Sequence, residues 1–296
     1  MDSLFHIQGP QHSDLTPVFL IHAISGFGLP YLNLGSLATN RTVYGLSSPT
    51  HEKASYRLPH SLQSLAQEYL ATIRSVQPQG PYILGGWSLG GMVAAKIASI
   101  LQEESGDGES QVLKLLLIDA INPEGCPAYS NPKERDATAE WMFKTYAPQM
   151  NLGYDPDSDF SSDEEEEMPA LDSDSESDSD DDDDVDVDEF LPRLKKYIYN
   201  SLDLVAGAGS TKVVPEEGLK CPATLVKCNI LGDHPPGTSE KRKWAVEYRF
   251  NDRRSGWPIR DLKVVRVDRQ HDHMFDGDFV GEMTGILRED LEGVEG

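Results

Sequence analysis

Residues 81–98, PYILGGWSLGGMVAAKIA, join an uncharged apolar run to a segment of small and apolar side chains. The first part, Pro81–Trp87, is typical of a buried strand, and the apolar spacing from Met92 onward predicts a helix. Between them, GWSLG at 86–90 forms a GxSxG pattern, in which small glycines let a strand and a helix approach without a Cβ clash. The stretch therefore predicts that Ser88 occupies a tight turn at the carboxyl edge of a sheet, where open α/β folds bind ligands.

Apolar runs and amphipathic helical patterns alternate along the rest of the chain. Because the apolar runs are nearly continuous, we expect strands that are buried on both faces, which is typical of a mostly parallel sheet. The pattern predicts an α/β fold with helices on both faces of this sheet. The predicted strands are Pro17–Ala23, Thr42–Leu46, Pro81–Trp87, Val112–Asp119, Ala223–Leu231 and Leu262–Val267, and the predicted helices lie at 62–73, 92–101 and 279–291.

The segment between Asp119 and Ala223 is too long for a simple connection between two strands. We expect a single domain over residues 1–296, with an inserted helical lid at about 122–220. Two stretches of the lid have helical patterns, around 140–146 and 190–204.

An acidic tract at 155–189 dominates the formal charge of −24. It contains 20 of the 50 acidic residues and no lysine or arginine, so charge repulsion and a lack of apolar surface predict disorder. The rest of the chain has 30 acidic and 26 basic residues, a net charge of −4. Because it has no long basic stripe, we do not expect a nucleic-acid substrate.

The most basic cluster of the sequence is interpreted as a solvated loop surface, with docking of an acidic carrier protein or of the acidic tract as the alternative. It comprises Lys241, Arg242, Lys243, Arg249, Arg253 and Arg254.

Cysteine usage and the first residues of the chain indicate the compartment. Cys126, Cys221 and Cys228 form no CxxC pattern and no metal-like pairing with histidine, which argues against a disulfide framework and favours a reducing compartment. The sequence has no basic segment followed by an apolar stretch at its start and no apolar run of about 18 residues. We therefore expect a cytoplasmic protein that does not span a membrane.

A serine hydroxyl becomes a good nucleophile when an imidazole takes its proton and an acid orients that imidazole. The chain order expected after GxSxG is an acid and then a histidine. In RQHDHMFDGDF we choose His273 over His271, because it follows an acidic turn and precedes the last helical pattern. For the acid, Asp119 at the end of LLLID and Asp233 after LVKCNILG both remain open.

Acyl transfer also requires N–H donors for the developing oxyanion. Leu89, directly after the serine, would supply one backbone N–H. In HAISGFG at 22–28 the glycines permit a close backbone approach, and we expect the N–H of Ile24 to be the second donor.

Taken together, these blocks resemble the thioesterase domains of fungal polyketide synthases, nonribosomal peptide synthetases and NRPS-like enzymes. The likeness is carried by VFLIHAISGFGLPYLNLGSLATNRTVYGLSSP, PYILGGWSLGGMVAAKIA, LLLIDAINP and DHMF, and it covers most of the chain outside the acidic tract. The resemblance implies an α/β-hydrolase fold and favours Asp119 over Asp233. It also implies Ser88 as nucleophile, His273 as base, and the N–H groups of Ile24 and Leu89 as the oxyanion hole.

The resemblance implies a thioesterase that hydrolyses or cyclises an acyl or peptidyl thioester and so releases a fungal secondary metabolite. The substrate would be carried on the phosphopantetheine arm of a polyketide synthase or nonribosomal peptide synthetase carrier domain acting in trans, with no other cofactor and no metal. The sequence departs from the family pattern in two respects, since we expect a stand-alone enzyme without a carrier or adenylation domain, and the predicted lid contains the acidic tract. Two alternatives stay open, a carboxylesterase or lipase-like hydrolase of oxygen esters, and an inactive scaffold that presents the acidic tract to basic partners.

Overall fold

The computed structural model describes residues 3–37, 40–51, 53, 55–106, 110–150 and 187–294. Most of the acidic tract, for which the sequence predicts disorder, lies outside these ranges. Its last three residues, 187–189, belong to a helix rather than to a disordered segment.

A seven-stranded sheet forms the centre of the fold. Its strands are β1 (Leu4–Gln8), β2 (Val18–Ile21), β3 (Val43–Leu46), β4 (Tyr82–Trp87), β5 (Val112–Ile118), β6 (Ala223–Cys228) and β7 (Leu262–Val267). They are arranged in the order β1-β3-β2-β4-β5-β6-β7, and every neighbouring pair is parallel except β1 with β3. The six predicted strands and the mostly parallel sheet are confirmed, whereas the antiparallel edge strand β1 was not predicted.

Burial explains why the strand sequences are so uniformly apolar. Every residue of β2, β4 and β6 is buried, because helices cover both faces of the sheet. Phe19 and Leu20 are fully buried, and each such side chain contributes about 1.5–3 kcal/mol relative to an exposed one. The edge strand β1 is only half-buried, so its sequence has no continuous apolar run.

The helices confirm the predicted amphipathic segments and add one. They are α1 (Leu62–Val76), α2 (Leu89–Ser105), α3 (Pro132–Tyr146), α4 (Val187–Ala208), α5 (Glu240–Asn251) and α6 (Val280–Leu291). The interpretation of the basic cluster as a loop surface is wrong for most of its members, because they belong to α5. That helix has only one buried residue, Ala245, so its sequence lacks the wide apolar stripe by which helices are usually predicted. Within the described ranges, no helix is both long and apolar enough to cross a membrane.

The two helices predicted for the lid lie between β5 and β6 and pack against each other as α3 and α4. An ion pair of 2.8 Å between Arg135 and Asp203 joins their exposed sides. Helix α3 begins with the side chain of Asn131 accepting a hydrogen bond from the N–H of Glu134, and the Glu134 carboxylate accepts one from the N–H of Ser130. These two caps fix the residue at which α3 begins.

Candidate active site

The turn between β4 and α2 holds Ser88 in an unusual backbone conformation, with φ 57° and ψ −119°. Such a conformation costs a non-glycine residue about 1–3 kcal/mol, and close packing on both sides maintains it. A Cβ on Gly86 would collide with the backbone of Gly90, and a Cβ on Gly90 would collide with the carbonyl of Ile21. The two glycines therefore permit the strand–helix contact that presents the Ser88 hydroxyl, as predicted.

The imidazole that reaches Ser88 belongs to His271. Its Nε2 lies 3.0 Å from the Ser88 Oγ, and its Nδ1 lies 2.7 Å from the Asp119 Oδ2. Since a carboxylate can only accept, the Nδ1–H donates to Asp119 and Nε2 is left to accept from the serine hydroxyl. The Asp119 side chain is 11% exposed and that of His271 34%, and Ser88 is partly exposed, so the chain of hydrogen bonds runs from a largely buried acid to a partly exposed serine.

His273 does not contact Ser88, and the prediction that placed it there is wrong. Residues 271–273 form one turn of 3-10 helix, in which about three residues complete a turn, so side chains two positions apart point in different directions. The His273 side chain is 55% exposed, and its Nδ1 lies 2.6 Å from the Asp276 Oδ2. The letters HDH alone could not show which imidazole faces the serine.

The structure brings Asp119, and not Asp233, to the histidine. Asp119 follows β5 directly, and both of its carboxylate oxygens accept from Cys228 on β6, Oδ1 from the backbone N–H at 3.0 Å and Oδ2 from the thiol at 2.9 Å. Asp233 lies on the exposed loop after β6 and lines the cleft. The contribution of Cys228 was missed, because nothing in its sequence context distinguishes it from a core cysteine.

The pKa values of the acid and the histidine are coupled. Burial raises the pKa of Asp119, but the hydrogen bond and charge of His271 and the two donors of Cys228 outweigh it and hold that pKa below its ordinary value. Burial lowers the pKa of His271, but the hydrogen bond and charge of Asp119, with the charge of Asp272, raise it above its ordinary value. The arrangement thus stabilises the imidazolium that forms when His271 takes a proton.

Aromatic side chains surround the imidazole and connect it to the lid. The ring of Trp87, directly before the serine, lies 5.6 Å from that of His271 and 5.3 Å from that of Phe275. Tyr146, at the end of α3, packs edge-on against Trp87 and donates a 2.9 Å hydrogen bond to Asp272. The lid helix α3 therefore contacts the turn that carries the histidine.

The two residues predicted to supply oxyanion donors lie beside Ser88. Leu89 is the first residue of α2, so its N–H has no acceptor within the helix. In the described part of the chain, the Ile24 N–H donates to no protein acceptor. Both residues line the cleft that also contains Ser88 and His271.

A second histidine, to which the sequence analysis gave no role, supports the loop that carries Ile24. His22 is fully buried, its Nδ1–H donates to the Ala23 carbonyl at 2.6 Å, and its Nε2 accepts from the Tyr69 hydroxyl. Burial lowers the pKa of His22 to about 4, so the ring is neutral. The hydroxyl of Tyr197 on α4 lies 3.5 Å from the same Nε2 and connects the loop to the lid.

The cleft above Ser88 has two arms that meet at this serine and His271. One arm, about 260 Å³, lies under the lid and is lined by residues such as Trp141, Leu202 and Val205. The other, about 250 Å³, lies between the sheet edge and α5 and is lined by residues such as Cys228, Ile230 and Phe250. Aliphatic and aromatic side chains dominate both arms, so the cleft fits an acyl chain better than a strongly charged ligand.

Comparison with known proteins identifies the family. Residues 16–200 match the thioesterase domain family. The chain is 34% identical to thioesterase pytI of Aspergillus terreus over 100% of both chains, and 33% identical to thioesterase pynI of Aspergillus niger over 99% of both. A shorter match, 37% identical, relates 43% of this chain to 6% of the non-reducing polyketide synthase PKS16 of Cladonia grayi.

A solved structure supports the fold. The NocB thioesterase domain, in covalent complex with a fluorophosphonate nocardicin G analog, superposes with a TM-score of 0.61 at 22% identity, over 98% of this chain and 100% of that one. At this identity the likeness concerns the fold alone. With the family match and the full-length relatives, it leads to one conclusion: this chain is a hydrolase of α/β-hydrolase fold that belongs to the thioesterase domain family.

Proposed function

We propose that this protein cleaves acyl thioesters carried on a phosphopantetheine arm, with Ser88 as nucleophile, His271 as general base and Asp119 as the acid that orients it. The observation that supports this most strongly is the pair of hydrogen bonds, 3.0 Å and 2.7 Å, that joins these three side chains. His271 replaces His273 in the proposal because its imidazole alone of the two reaches the serine.

In the first half-reaction the Ser88 Oγ attacks the thioester carbonyl carbon while the His271 Nε2 takes the hydroxyl proton. The N–H groups of Ile24 and Leu89 stabilise the negative charge on the carbonyl oxygen. The C–S bond then breaks, and the departing sulfur receives the proton from His271. The acyl group is left as an ester on Ser88.

In the second half-reaction a water molecule attacks this ester, again with His271 as base, and the acyl group leaves as a free acid. A hydroxyl or amine within the acyl chain would give a ring instead of an acid. In either outcome Ser88 recovers its proton from His271, and the reaction uses no metal and no cofactor beyond the arm that carries the substrate.

The relatives support the substrate class. Thioesterase pytI matches this chain over its whole length and pynI over 99% of its length, and a part of a non-reducing polyketide synthase matches 43% of this chain. We therefore propose that a polyketide synthase or nonribosomal peptide synthetase carrier domain delivers the thioester in trans, during synthesis of a fungal secondary metabolite. Three cysteines without disulfide partners support a reducing, cytoplasmic setting.

The test is turnover of octanoyl-N-acetylcysteamine thioester and of the matched octanoyl oxygen ester, followed by release of thiol and alcohol. We expect faster turnover of the thioester and, in rapidly quenched samples, an octanoyl group on the Ser88 peptide by mass spectrometry. Faster turnover of the oxygen ester would favour the carboxylesterase alternative. No turnover of either ester and no acylated peptide would favour the inactive scaffold.

The pH dependence should report the pKa of His271. The imidazole must be neutral to accept a proton, so kcat/KM should increase with pH through that pKa, and the midpoint should lie above about 6.5 because Asp119 raises it. In Asp119→Asn the carboxylate charge is lost, so the midpoint should move to lower pH and kcat should decrease by about 10⁴-fold.

The matched control for this profile is Asp233→Asn, which removes the other candidate acid. We expect this variant to keep the midpoint of the wild type. If Asp233→Asn moved the midpoint and Asp119→Asn did not, the assignment of the acid would be wrong.

A further inference from the structure

The outer face of α5 exposes two stacked aromatic rings. Trp244 is 65% exposed and Tyr248 56%, and their ring centroids lie 5.3 Å apart at an interplanar angle of 21°. Among the described residues they are the most exposed of the large hydrophobic side chains. A stacked pair of this size on a surface helix is the type of anchor that protein interfaces use.

The opposite face of the same helix lines the cleft. Val246 and Arg242 border the arm under the lid, and Val246 and Phe250 border the arm beside the sheet. A helix with its side chains is about 10–12 Å across, so the aromatic pair lies about one helix diameter from the acyl cleft. A partner bound there would be next to the cleft without filling it.

The segment that carries the pair has a net positive charge, although the chain as a whole is strongly acidic. Residues 240–254 contain six lysines and arginines against three acidic residues. Two of the acidic residues in this segment, Glu240 and Glu247, lie beside Trp244 at helical spacing, and Lys243 pairs with Glu240 at 2.8 Å. Some of these cations have structural roles, since Arg242 donates to the Pro127 carbonyl at 2.7 Å and Arg249 donates to the Glu124 carbonyl. Lys241 is exposed and, within the described ranges, makes no ion pair, and its helical spacing places it on the same face as Trp244 and Tyr248.

We propose that Lys241, Trp244 and Tyr248, the α5 outer face, form the docking surface for an acidic carrier protein that delivers the thioester. This inference rests on the proposed function. The aromatic rings would supply buried contact area, and the net positive charge of residues 240–254, with Lys241 on the outer face itself, would orient an acidic partner on approach. The position beside the cleft favours a carrier over a second copy of the chain, because the flexible arm has to reach Ser88 while the carrier stays outside.

The test compares Trp244→Ala/Tyr248→Ala with the wild type on two substrates that have the same acyl group. One is octanoyl-N-acetylcysteamine thioester, and the other is octanoyl-phosphopantetheine on an acidic carrier domain from a non-reducing polyketide synthase. We expect kcat/KM for the carrier-bound substrate to decrease at least about tenfold, with the small thioester unchanged within about twofold. Lys241→Glu should weaken carrier turnover mainly at low salt.

Val76→Ala is the matched control, because Val76 is 43% exposed but lies at the carboxyl end of α1, next to the amino edge of the sheet. It should leave both substrates unaffected. An unchanged kcat/KM for carrier-bound substrate in the double variant would overturn the proposal, as would an equal loss on both substrates. A wild type that cleaves only the small thioester, or a dimer that the double variant dissociates, would also overturn it. If the wild type cleaves neither substrate, the proposed function itself fails.

Discussion

Ser88→Ala is expected to lower kcat for thioester hydrolysis by at least about 10³-fold, and by up to about 10⁶-fold if no other group can take over the attack. The substitution removes only the Oγ that lies 3.0 Å from the His271 Nε2, and it leaves the glycines that shape the turn in place. The remaining rate would come from binding and from the oxyanion donors. The measurement is thiol release from octanoyl-N-acetylcysteamine, with rapid quenching to detect the acyl-enzyme.

Ser99→Ala is the control on the same helix. Ser99 is fully buried, and its hydroxyl contacts Glu103 at 3.2 Å rather than any residue of the site. It should keep kcat within about threefold. If Ser88→Ala retained the wild-type rate, or if acylation occurred at another residue, Ser88 would not be the nucleophile.

The part of the fold near the site was predictable because burial restricts its sequence. Strand β4 is buried at every residue, so only apolar and small side chains fit, and the glycines at 86 and 90 mark the close contact with α2. The same reasoning placed Ser88 and Leu89 at the turn between strand and helix and predicted the strand Val112–Asp119, which ends one residue earlier in the structure. Helix α5 was not predicted, because it has only one buried residue and its sequence therefore lacks a wide stripe of apolar residues at helical spacing.

The contacts of the site depend on geometry that the sequence does not contain. Cys228 approaches Asp119 because β5 and β6 are paired in parallel, with Ile118 opposite Val226, and their ends lie at the same edge. His22 supports the loop of Ile24 because Tyr69 packs against it from a separate helix. These partners are dozens of residues apart in the chain, so no local spacing indicates them.

His271→Ala is expected to reduce kcat about as much as Ser88→Ala, whereas His273→Ala should keep it within about threefold. The loss in His271→Ala follows from its two hydrogen bonds, because without the imidazole nothing in the site takes the Ser88 proton. The His273 side chain is exposed and pairs only with Asp276, three residues along the chain. The measurement is kcat for the small thioester at a pH above the midpoint of the wild type.

A double variant that combines the Ser88 and His271 substitutions distinguishes loss of catalysis from damage to the fold. A serine and a histidine that act as one unit are not additive, so Ser88→Ala/His271→Ala should be no slower than either single variant. Independent structural damage would instead multiply the two losses. A tolerated His271→Ala with an inactive His273→Ala would mean that the turn at 271–273 rotates when substrate binds, and the assignment of the base would return to His273. The pair of histidine variants therefore decides between the geometry of the structure and the choice made from the sequence.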